Sequence, residues 1–342
     1  MRIVVIGATG NVGTAVLKRL HRQDEVEETE IEMVGVARRL PNPGRHPYEG
    51  VEWHGIDIGD DDAVTHLTRA FQDADAVIHL AWLLQPNHDE ATMQRTNLHG
   101  LRNVILAAVD AHVPHLLVAS SVGAYSPGPK HRAVDESWAT DGIDTSQYSR
   151  QKAAAERMLD ALEDSVPTMT VTRMRPGLVM HGAAGGEVAR LFLGRLIPTG
   201  WITKVRLPFL PVPAETVSQV VHESDLADAF WRAAERGIGG AFNIATDPVM
   251  SPELLAEVLR TRWVKVPIAP LRALMAATWH LRIQNSDPGW LDIATQVPVM
   301  STQRAQTELD WHPTVGAQTA LTELIEGVAE RRTQRGSPAL KR

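Results

Sequence analysis

Hydrophobic and polar positions follow two alternating periods over the first 175 residues. Short, β-branched apolar runs predict buried strands, and stretches with apolar residues three or four positions apart predict amphipathic helices. The predicted strands are Arg2–Ile6, Ile31–Ala37, Val51–His54, Ala76–Ala81, His115–Ser120 and Thr168–Met174. The predicted helices are Asn11–His21, Asp60–Phe71, Glu90–His112 and Ser146–Glu163. This alternation is typical of the α/β class, with a doubly wound parallel sheet between two helical layers.

The pattern becomes less regular after Pro176, where prolines and most of the tryptophans lie. The second half is predicted to contain the strands Val217–His222 and Ala241–Ala245 and the helices Ser224–Arg236, Ser251–Arg260 and Ala317–Ala329. We therefore expect a first domain over residues 1–175 and a smaller, irregular α/β lobe over residues 176–330. Some segments of that lobe are expected to return to the first domain. Residues 331–342 are polar and basic, and we expect a flexible tail there.

Composition narrows the possible partners of the chain. Its 342 residues are 44% hydrophobic and 22% charged, which is ordinary for a globular protein. A net charge of -7 gives no general electrostatic footprint for nucleic acid or an anionic membrane, so we expect neither as a partner. The chain has no cysteine and no histidine pair at ligand spacing, so we expect no metal site. With no apolar run of transmembrane length, we expect a cytoplasmic protein.

Three glycines at positions 7, 10 and 13 separate the first predicted strand from the first helix. A turn without side chains lets the backbone approach a pyrophosphate, while the amides and dipole of the helix N-terminus face its negative charge. The alternative is an ordinary tight turn, but a position between an apolar strand and a helix favours a dinucleotide site. The loop residues expected to bind the dinucleotide are Gly7, Thr9, Gly10, Asn11, Val12 and Gly13.

The end of the second strand is expected to contact the adenosine ribose. An acid there would bind the 2′-hydroxyl, but this chain has Arg38 and Arg39, which could hold a 2′-phosphate through forked hydrogen bonds. This favours NADP(H), with NAD(H) as a possible cofactor, although the pair also fits a solvated basic loop. Asp57, followed by Ile58, is placed either to accept from the adenine amine or to cap the next helix.

Tyr148 and Lys152 stand four residues apart on a predicted helix that follows the fifth strand, so their side chains share one face. A nearby cation lowers the pKa of a phenol toward neutral pH. The pair could then exchange a proton with an alcohol or carbonyl while hydride passes to or from nicotinamide. The alternative is an exposed helix face. The location at the carboxyl edge of a parallel sheet favours an active site.

Three polar residues could assist this pair. Ser120 and Ser121 end the fifth strand, where a hydroxyl can stabilise a reacting oxygen, although either could simply be a turn residue. Asn97 lies inside the long predicted helix, where its amide could kink the helix or hold a water beside the lysine. An exposed helix asparagine is the alternative.

The chain resembles the extended short-chain dehydrogenase/reductase family, which includes NAD-dependent epimerases and dehydratases. The resemblance covers nearly the whole chain. The segments that carry it are the glycine loop, Asp57-Ile58, His79-Leu80-Ala81, Asn97, Ser120-Ser121, Tyr148 with Lys152, Arg175-Pro176-Gly177, Val221 to Ala227, Phe242 to Ala245, Thr302 to Ala305 and Leu309 to Pro313.

This resemblance implies a Rossmann-like sheet with a C-terminal substrate lobe. It implies that Tyr148 is the acid/base and that Lys152 lowers its pKa and holds the nicotinamide ribose. Ser121 stands four residues before Tyr125, as the assisting serine does in the family, and Asn97 completes the catalytic set. Further cofactor contacts are expected at Leu80, Ala81, Pro176 and Val179, and substrate contacts at Trp82, Leu83, Ser121, Val122 and Tyr148.

The chain departs from relatives that bind nucleotide sugars. Such proteins hold the substrate diphosphate with arginines, but here Ser218 occupies one of those places and the second is vacant unless Arg282 serves. Arg190, Arg195, Lys204 and Arg206 remain possible phosphate ligands. Apolar runs at Trp82 to Leu84 and Leu207 to Pro213 favour a pocket for an uncharged ligand, unless they are simply core.

The leading hypothesis is an NAD(P)-dependent oxidoreductase that acts on an alcohol or carbonyl of a small, largely apolar metabolite. One alternative is a nucleotide-sugar epimerase or dehydratase that retains NAD. Another is a dinucleotide-sensing protein without turnover, against which the Ser121, Tyr148 and Lys152 set argues. The family resemblance also implies a homodimer, through the helices Glu90–His112 and Ser146–Glu163.

Overall fold

The computed structural model describes residues 1–27, 30–84, 88–182, 208–284, 286–330, 332, 334 and 336–339. Its main feature is a seven-stranded sheet in the order β11-β7-β5-β4-β1-β2-β3, in which every neighbouring pair is parallel. Parallel strands require helical crossovers, and these cover both faces of the sheet. The α/β class and the doubly wound sheet predicted from the sequence are confirmed.

The seven strands of the large sheet and one strand of the smaller lobe lie close to the positions that the hydrophobic pattern predicts, whereas the six other strands were not predicted. They are β1 Arg2–Ile6, β2 Glu32–Ala37, β3 Glu52–Gly55, β4 Ala76–His79, β5 His115–Ala119, β6 Ala133–Val134, β7 Thr170–Pro176, β8 Leu178–Met180, β9 Leu210–Val212, β10 Ser218–His222, β11 Gly240–Ile244, β12 Thr246–Met250, β13 Trp263–Lys265 and β14 Val299–Met300. Strand β1, at the centre of the sheet, is almost fully buried, and its register with β2 and β4 is continuous.

The helices predicted from the apolar periodicity are present, whereas three others, over Ile268–His280, Gly289–Gln296 and Gln303–Glu308, were not predicted. They are α1 Asn11–Glu27, α2 Ala63–Ala70, α3 Glu90–Gln94, α4 Gly100–Asp110, α5 Gln147–Ser165, α6 Glu223–Arg236, α7 Pro252–Val258, α8 Ile268–His280, α9 Gly289–Gln296, α10 Gln303–Glu308 and α11 Ala317–Glu330. The long helix predicted over Glu90–His112 is divided by a π-helical turn at Arg95–His99. Such turns often mark functional sites inside helices.

The residues after 176 are shared between the large sheet and the smaller lobe. Strand β11 pairs with β7 as the edge strand of the large sheet, and α6 packs on α1. Phe230 of α6 shares a buried cluster with Ile3 and Leu17, and Arg19 of α1 contacts Asp228 at 2.7 Å. The first folding unit therefore includes residues well beyond 175.

The smaller lobe is built from short sheets beside the carboxyl edge of the large one. One has the order β12-β10-β8, and the pairs β13-β9 and β14-β6 form two others. Helix α11 packs on β10 and β12 around Val220, Leu321 and Leu324. Among the helices of the described residues, none is long and apolar enough to cross a membrane.

Part of the segment expected to be a flexible tail is packed against the first domain. Ser337 is fully buried, and its Oγ donates to the Thr9 carbonyl oxygen at 2.7 Å. The Gly336 carbonyl accepts from the Asn42 amide at 3.2 Å. Residues 336–339 therefore contact both the glycine loop and the loop after β2, which the polar composition of the tail did not indicate.

Candidate active site

The glycine loop connects β1 to the N-terminus of α1 and has little room for side chains. Gly7 has a φ of +82°, and a Cβ there would lie 2.8 Å from the Ala81 backbone nitrogen. A Cβ at Gly13 would lie 2.3 Å from the Gly7 carbonyl oxygen. The loop therefore requires glycine for its fold, and the helix dipole adds a positive potential at its end.

The same loop contains a buried polar atom that the described residues do not satisfy. Asn11 Oδ1 is buried without a hydrogen-bond partner there, at the first position of α1. Thr9 is buried, and Val12 packs against the main apolar cluster. A tight backbone, a helix N-terminus and an unpaired polar atom together fit the pyrophosphate of a dinucleotide.

Leu80 and Ala81 support the loop from the adjacent strand. The Leu80 amide continues β4 by donating to the Ile6 carbonyl at 2.9 Å, and Ala81 lies directly against Gly7. On the far side, Pro176 ends β7, and Val179 of β8 pairs with Val221 of β10. Leu80 and Pro176 thus mark the carboxyl ends of β4 and β7, and ligands bind at this edge in sheets of this kind.

The corner beyond β2 contains a cluster of alternating charges. Arg38 and Arg39 are exposed, and Arg38 Nη1 lies 4.0 Å from Asp57 Oδ2. The same oxygen accepts from Arg95 Nη2 at 2.9 Å, while Oδ1 accepts from the Gly59 amide at 3.0 Å. Arg95 therefore neutralises the acid nearest to Arg38.

The helix-cap interpretation of Asp57 is wrong, because the next helix begins at Ala63 with Asp62 at its N-cap. Ile58, by contrast, is buried and lies against Gly100 at the start of α4. Asp57 and Ile58 thus connect the end of β3 to the helix that also carries Arg95.

Helix α5 carries the Tyr148 and Lys152 pair. Ser146 caps the helix by accepting from the Ser149 amide at 3.4 Å. Lys152 is buried, and its Nζ donates to the Ala119 carbonyl at the end of β5 at 2.8 Å. The same ammonium lies 3.4 Å from the centre of the Trp82 ring and 5.9 Å from that of Tyr148. The two side chains therefore share a pocket at the edge of the sheet.

The expected lowering of the tyrosine pKa is not found. Burial raises the pKa of Tyr148 to about 12, although a hydrogen bond with Ser121 lowers it. Burial also lowers the pKa of Lys152 to about 7, while the charge of Glu156 raises it. The lysine ammonium contacts the Ala119 carbonyl and the face of the Trp82 ring rather than water. Loss of hydration is the largest effect on the pKa of both Tyr148 and Lys152. Tyr148 is therefore a protonated acid at neutral pH.

The two serines at the end of β5 point to different partners. Ser121 hydrogen-bonds with Tyr148, and its Oγ accepts from the Gly123 amide at 3.0 Å. Ser120 Oγ instead donates to Glu156 Oε1 at 2.5 Å. A Cβ at Gly123 would lie 2.8 Å from Tyr148 Cε1, so the turn after Ser121 packs directly on the phenol ring.

Asn97 is fully buried in the π-helical turn, which excludes an exposed position. Its Oδ1 accepts from the Leu83 amide at 2.7 Å, and its Nδ2 donates to the Leu83 carbonyl at 3.0 Å. Nδ2 also donates to Gln151 Oε1 at 2.8 Å, next to Lys152. Asn97 therefore ties the segment after β4 to the helix that carries the tyrosine.

Sequence reasoning missed Glu156, one turn beyond Lys152. It is almost fully buried and binds Arg175 through two hydrogen bonds of 2.9 Å, with Arg173 at 3.2 Å. Burial raises the pKa of Glu156, but Arg175 and the other partners outweigh burial and lower it. The signal available was a carboxylate at i+4 from Lys152 together with two arginines in a strand that has no other charged residue.

Aromatic side chains surround Tyr148. Its ring centre lies 6.4 Å from that of Trp82 in an edge arrangement and 5.1 Å from that of Trp290. Val122 belongs to the same apolar cluster, whereas Leu83 is held through its backbone by Asn97. Trp290 was not among the predicted substrate contacts, because its approach to Tyr148 depends on how α9 packs.

Helix α9 is fixed firmly at the start of α5. A Cβ at Gly289 would lie 2.7 Å from the Ser146 Cα, so the two helices meet closely. Asp292 accepts from Thr145 Oγ1 at 2.6 Å and from the Arg272 guanidinium at 2.8 Å. These contacts hold Trp290 in place against the tyrosine.

The residues considered for a diphosphate lie apart from this pocket or outside the described residues. Ser218 begins β10, and Arg282 is exposed beyond α8. Arg190, Arg195, Lys204 and Arg206 lie outside the described residues, as does Leu207 of the second apolar run. Phe209 of that run is 52% exposed. Within the described residues, no group of histidines and acids could hold a metal ion.

Comparisons with known proteins agree with this geometry. The family model described as "NAD dependent epimerase/dehydratase family" matches residues 3–245. A "4-hydroxy-2-methyl-3-oxo-4-farnesyl-3,4-dihydroquinoline-1-oxide ketoreductase" from Stigmatella aurantiaca is 25% identical over 285 residues, which cover 82% of this chain and 79% of that protein. An "L-arabinose 1-dehydrogenase (NAD(P)(+))" from Haloferax volcanii is 34% identical over 123 residues, covering 35% of this chain and 41% of that one.

A crystal structure of UDP-glucose 4-epimerase from Thermotoga maritima, with UDP-glucose, superimposes with a TM-score of 0.70. The two chains are 18% identical, and the match covers 97% of this chain and 99% of the other. At this identity the likeness establishes the shared fold.

Proposed function

Because the chain belongs to the NAD dependent epimerase/dehydratase family, we propose that it is an NADP(H)-preferring oxidoreductase. It interconverts the alcohol and carbonyl forms of a small, largely apolar metabolite, with Tyr148 as the proton donor and acceptor.

The approach of two indole rings to Tyr148, with centres at 6.4 Å for Trp82 and 5.1 Å for Trp290, is the observation that carries this proposal. Aromatic rings next to the proton donor favour a flat or apolar ligand over a charged one. Lys152, the cation closest to this pocket, is already engaged by the Ala119 carbonyl and the Trp82 face. A diphosphate binds through charge-assisted hydrogen bonds, and the side chains described around Tyr148 provide few donors for them.

The residues present fit a nicotinamide dinucleotide. Its pyrophosphate would be held by the glycine loop and Asn11, and its adenosine end by Arg38, Arg39 and the end of β3. When bound, the nicotinamide supplies or accepts a hydride.

The side chains around the reacting group would then manage the proton. In the reducing direction Tyr148 gives its proton to the carbonyl oxygen as negative charge develops there, and Ser121 donates a hydrogen bond to the same oxygen. A pKa of about 12 keeps Tyr148 protonated before the reaction, which suits a proton donor. Lys152 provides a positive charge near the phenolate that remains.

The preference for NADP(H) rests on the end of β2. Arg38 and Arg39 are exposed there in place of the acid that would repel a 2′-phosphate, and Asp57, the acid nearest to Arg38, is paired with Arg95. The S. aurantiaca relative, named as a ketoreductase of a farnesylated quinoline oxide, supports an apolar cyclic carbonyl as the type of substrate.

The decisive experiment measures oxidation of NADPH and NADH by the purified protein with bicyclic aromatic ketones, aliphatic ketones and UDP-glucose. We expect turnover of NADPH with the aromatic ketones. Tyr148→Phe should abolish turnover while the Kd for NADPH, measured by fluorescence, stays within about twofold. A protein purified with bound NAD(H) that converts only UDP-glucose would instead be an epimerase, and dinucleotide binding without any turnover would indicate a sensor.

A further inference from the structure

Residues 258–286 have an unusual charge for this chain. They contain Arg260, Arg262, Lys265, Arg272 and Arg282 and no aspartate or glutamate, although the whole chain has a net charge of -7. Arg272 is paired with Asp292. The other four cations are exposed, and within the described part of the chain none of them forms an ion pair. The segment therefore presents uncompensated positive charge.

The same region exposes large apolar side chains. Phe209 is 52% exposed, Val264 45%, Leu274 62%, Leu281 71% and Ile283 56%, and these are five of the nine large hydrophobic residues exposed among the described residues. Helix α8 has an apolar sequence but not a single buried residue. An amphipathic helix of a globular protein normally buries one face, so α8 is exceptional.

These apolar and basic residues belong to one connected part of the fold, which we call the basic–apolar surface. Strand β13 pairs in parallel with β9, so that Trp263 lies opposite Leu210, next to Phe209. Helix α8 begins three residues after β13, and Arg282 and Ile283 follow its end. The surface thus consists of Phe209, β9 and residues 260–283, and in that last segment cations stand before and between the exposed apolar groups.

We propose that the basic–apolar surface binds the surface of an anionic membrane without crossing it. Exposed leucine and isoleucine side chains can enter the boundary between lipid headgroups and acyl chains, while arginine and lysine are attracted to anionic headgroups. The expectation that this chain has no membrane partner rested on net charge, which is an average over the molecule. Residues 258–286 carry a positive charge although the whole chain is negative.

Other occupants fit this surface less well. A symmetric dimer would place the surface against itself and bring like charges together. Nucleic acid would satisfy the cations but would leave Leu274, Leu281 and Ile283 facing phosphates. An anionic bilayer matches both the charge and the apolar character.

The surface is connected to the catalytic pocket. Arg272 of α8 binds Asp292 of α9, two residues beyond Trp290. At its other end α8 stacks Trp279 on His88 at 4.4 Å, close to the segment that continues from Trp82 and Leu83. An apolar substrate dissolved in the bilayer would therefore be near Tyr148. This consequence rests on the proposed function, whereas membrane binding does not.

The test is sedimentation of the full chain with vesicles of phosphatidylcholine, with and without phosphatidylglycerol, at low and high salt. We expect binding to the vesicles that contain phosphatidylglycerol, weak binding to pure phosphatidylcholine, and a loss at high salt. The double variant Leu274→Glu/Leu281→Glu should bind at least about tenfold more weakly. The control Leu106→Glu, at an exposed leucine on α4, should bind like the wild type.

Several outcomes would overturn the inference. One is equal binding to both vesicle types, and another is undiminished binding of the double variant. If no vesicles sediment the wild type and the double variant unfolds at a lower temperature than Leu106→Glu, another part of the chain covers the surface. If the double variant instead converts a dimer to a monomer in sedimentation equilibrium, a second copy covers it. The sedimentation assay requires no turnover. Its result can therefore be interpreted even if the proposed oxidoreductase activity is not found.

Discussion

The carboxylate of Glu156 and the guanidinium of Arg175 form a buried pair joined by two hydrogen bonds of 2.9 Å. Arg175 also donates to the hydroxyl of Tyr125 at 2.9 Å, and that hydroxyl donates to Asn243 at 2.7 Å. The pair therefore joins the helix of Tyr148 and Lys152 to β7 and to the edge strand β11.

Removing the charge of Glu156 should destabilise the fold strongly. Glu156→Gln leaves two buried arginines without their shared carboxylate, so we expect the free energy of unfolding to fall by about 3–5 kcal/mol. Glu163→Gln is the matched control, because Glu163 also contacts Arg173 but is 40% exposed, and it should cost at most about 1 kcal/mol. Urea denaturation of both variants measures the difference, and equal losses would contradict the prediction.

Asn97 should act by positioning the substrate pocket. Asn97→Ala removes three hydrogen bonds that hold Leu83 and Gln151. We expect KM for the carbonyl substrate to rise while the Kd for NADPH stays nearly constant, because the glycine loop is untouched. A lower kcat with an unchanged KM would instead indicate a direct part in proton transfer. Steady-state kinetics beside a fluorescence titration separates these results.

The glycine loop offers a steric test of dinucleotide binding. Gly13→Ala would force a Cβ to within 2.3 Å of the Gly7 carbonyl oxygen, so the loop must shift. We expect a loss of at least about tenfold in NADPH affinity, measured by calorimetry. Gly44→Ala is the control, because the atom nearest to its added Cβ is the end of the Asn42 side chain at 3.6 Å.

Arg38 and Arg39 should determine the choice between the two dinucleotides. Replacing both with serine removes the cations available to a 2′-phosphate, and we expect the ratio of kcat/KM for NADPH over NADH to fall by about tenfold or more. Arg102→Ser, at an exposed arginine on α4, should leave the ratio unchanged. A ratio that also stays constant in the double variant would place 2′-phosphate recognition elsewhere.

Lys152 should make stability depend on pH. Burial lowers its pKa from 10.5 to about 7, so between these values the unfolded chain binds a proton that the folded chain does not. The contribution of this residue to the free energy of unfolding therefore rises with pH across that window. Lys152→Met should reduce this slope in urea denaturation from pH 7 to pH 10, and Lys265→Met should not.

Local sequence patterns were sufficient to predict the large parallel sheet and to indicate its carboxyl edge as the location of the candidate site. Apolar periodicity identified the strands of the large sheet, and glycines beside a predicted helix indicated the loop that we propose as the dinucleotide site, because both signals depend on neighbouring residues. The contacts of Trp290 and Asn243 with the site were not predictable, since each depends on packing between segments more than a hundred residues apart. The sequence predicts a lowered pKa for Tyr148, whereas burial raises it. The four-residue spacing from Lys152 indicates a shared helix face but gives no measure of desolvation.

The position of β11 has a consequence for the way the protein is synthesised. The glycine loop needs Val36 and Ala81 beside it, and the sheet that holds it lacks its edge strand until residue 244 has emerged. Until then β7 presents an open edge, and α1 lacks α6, the helix that covers its apolar face. The nascent chain therefore completes the large sheet only late in translation, and a fragment cut at residue 175 would be prone to aggregate.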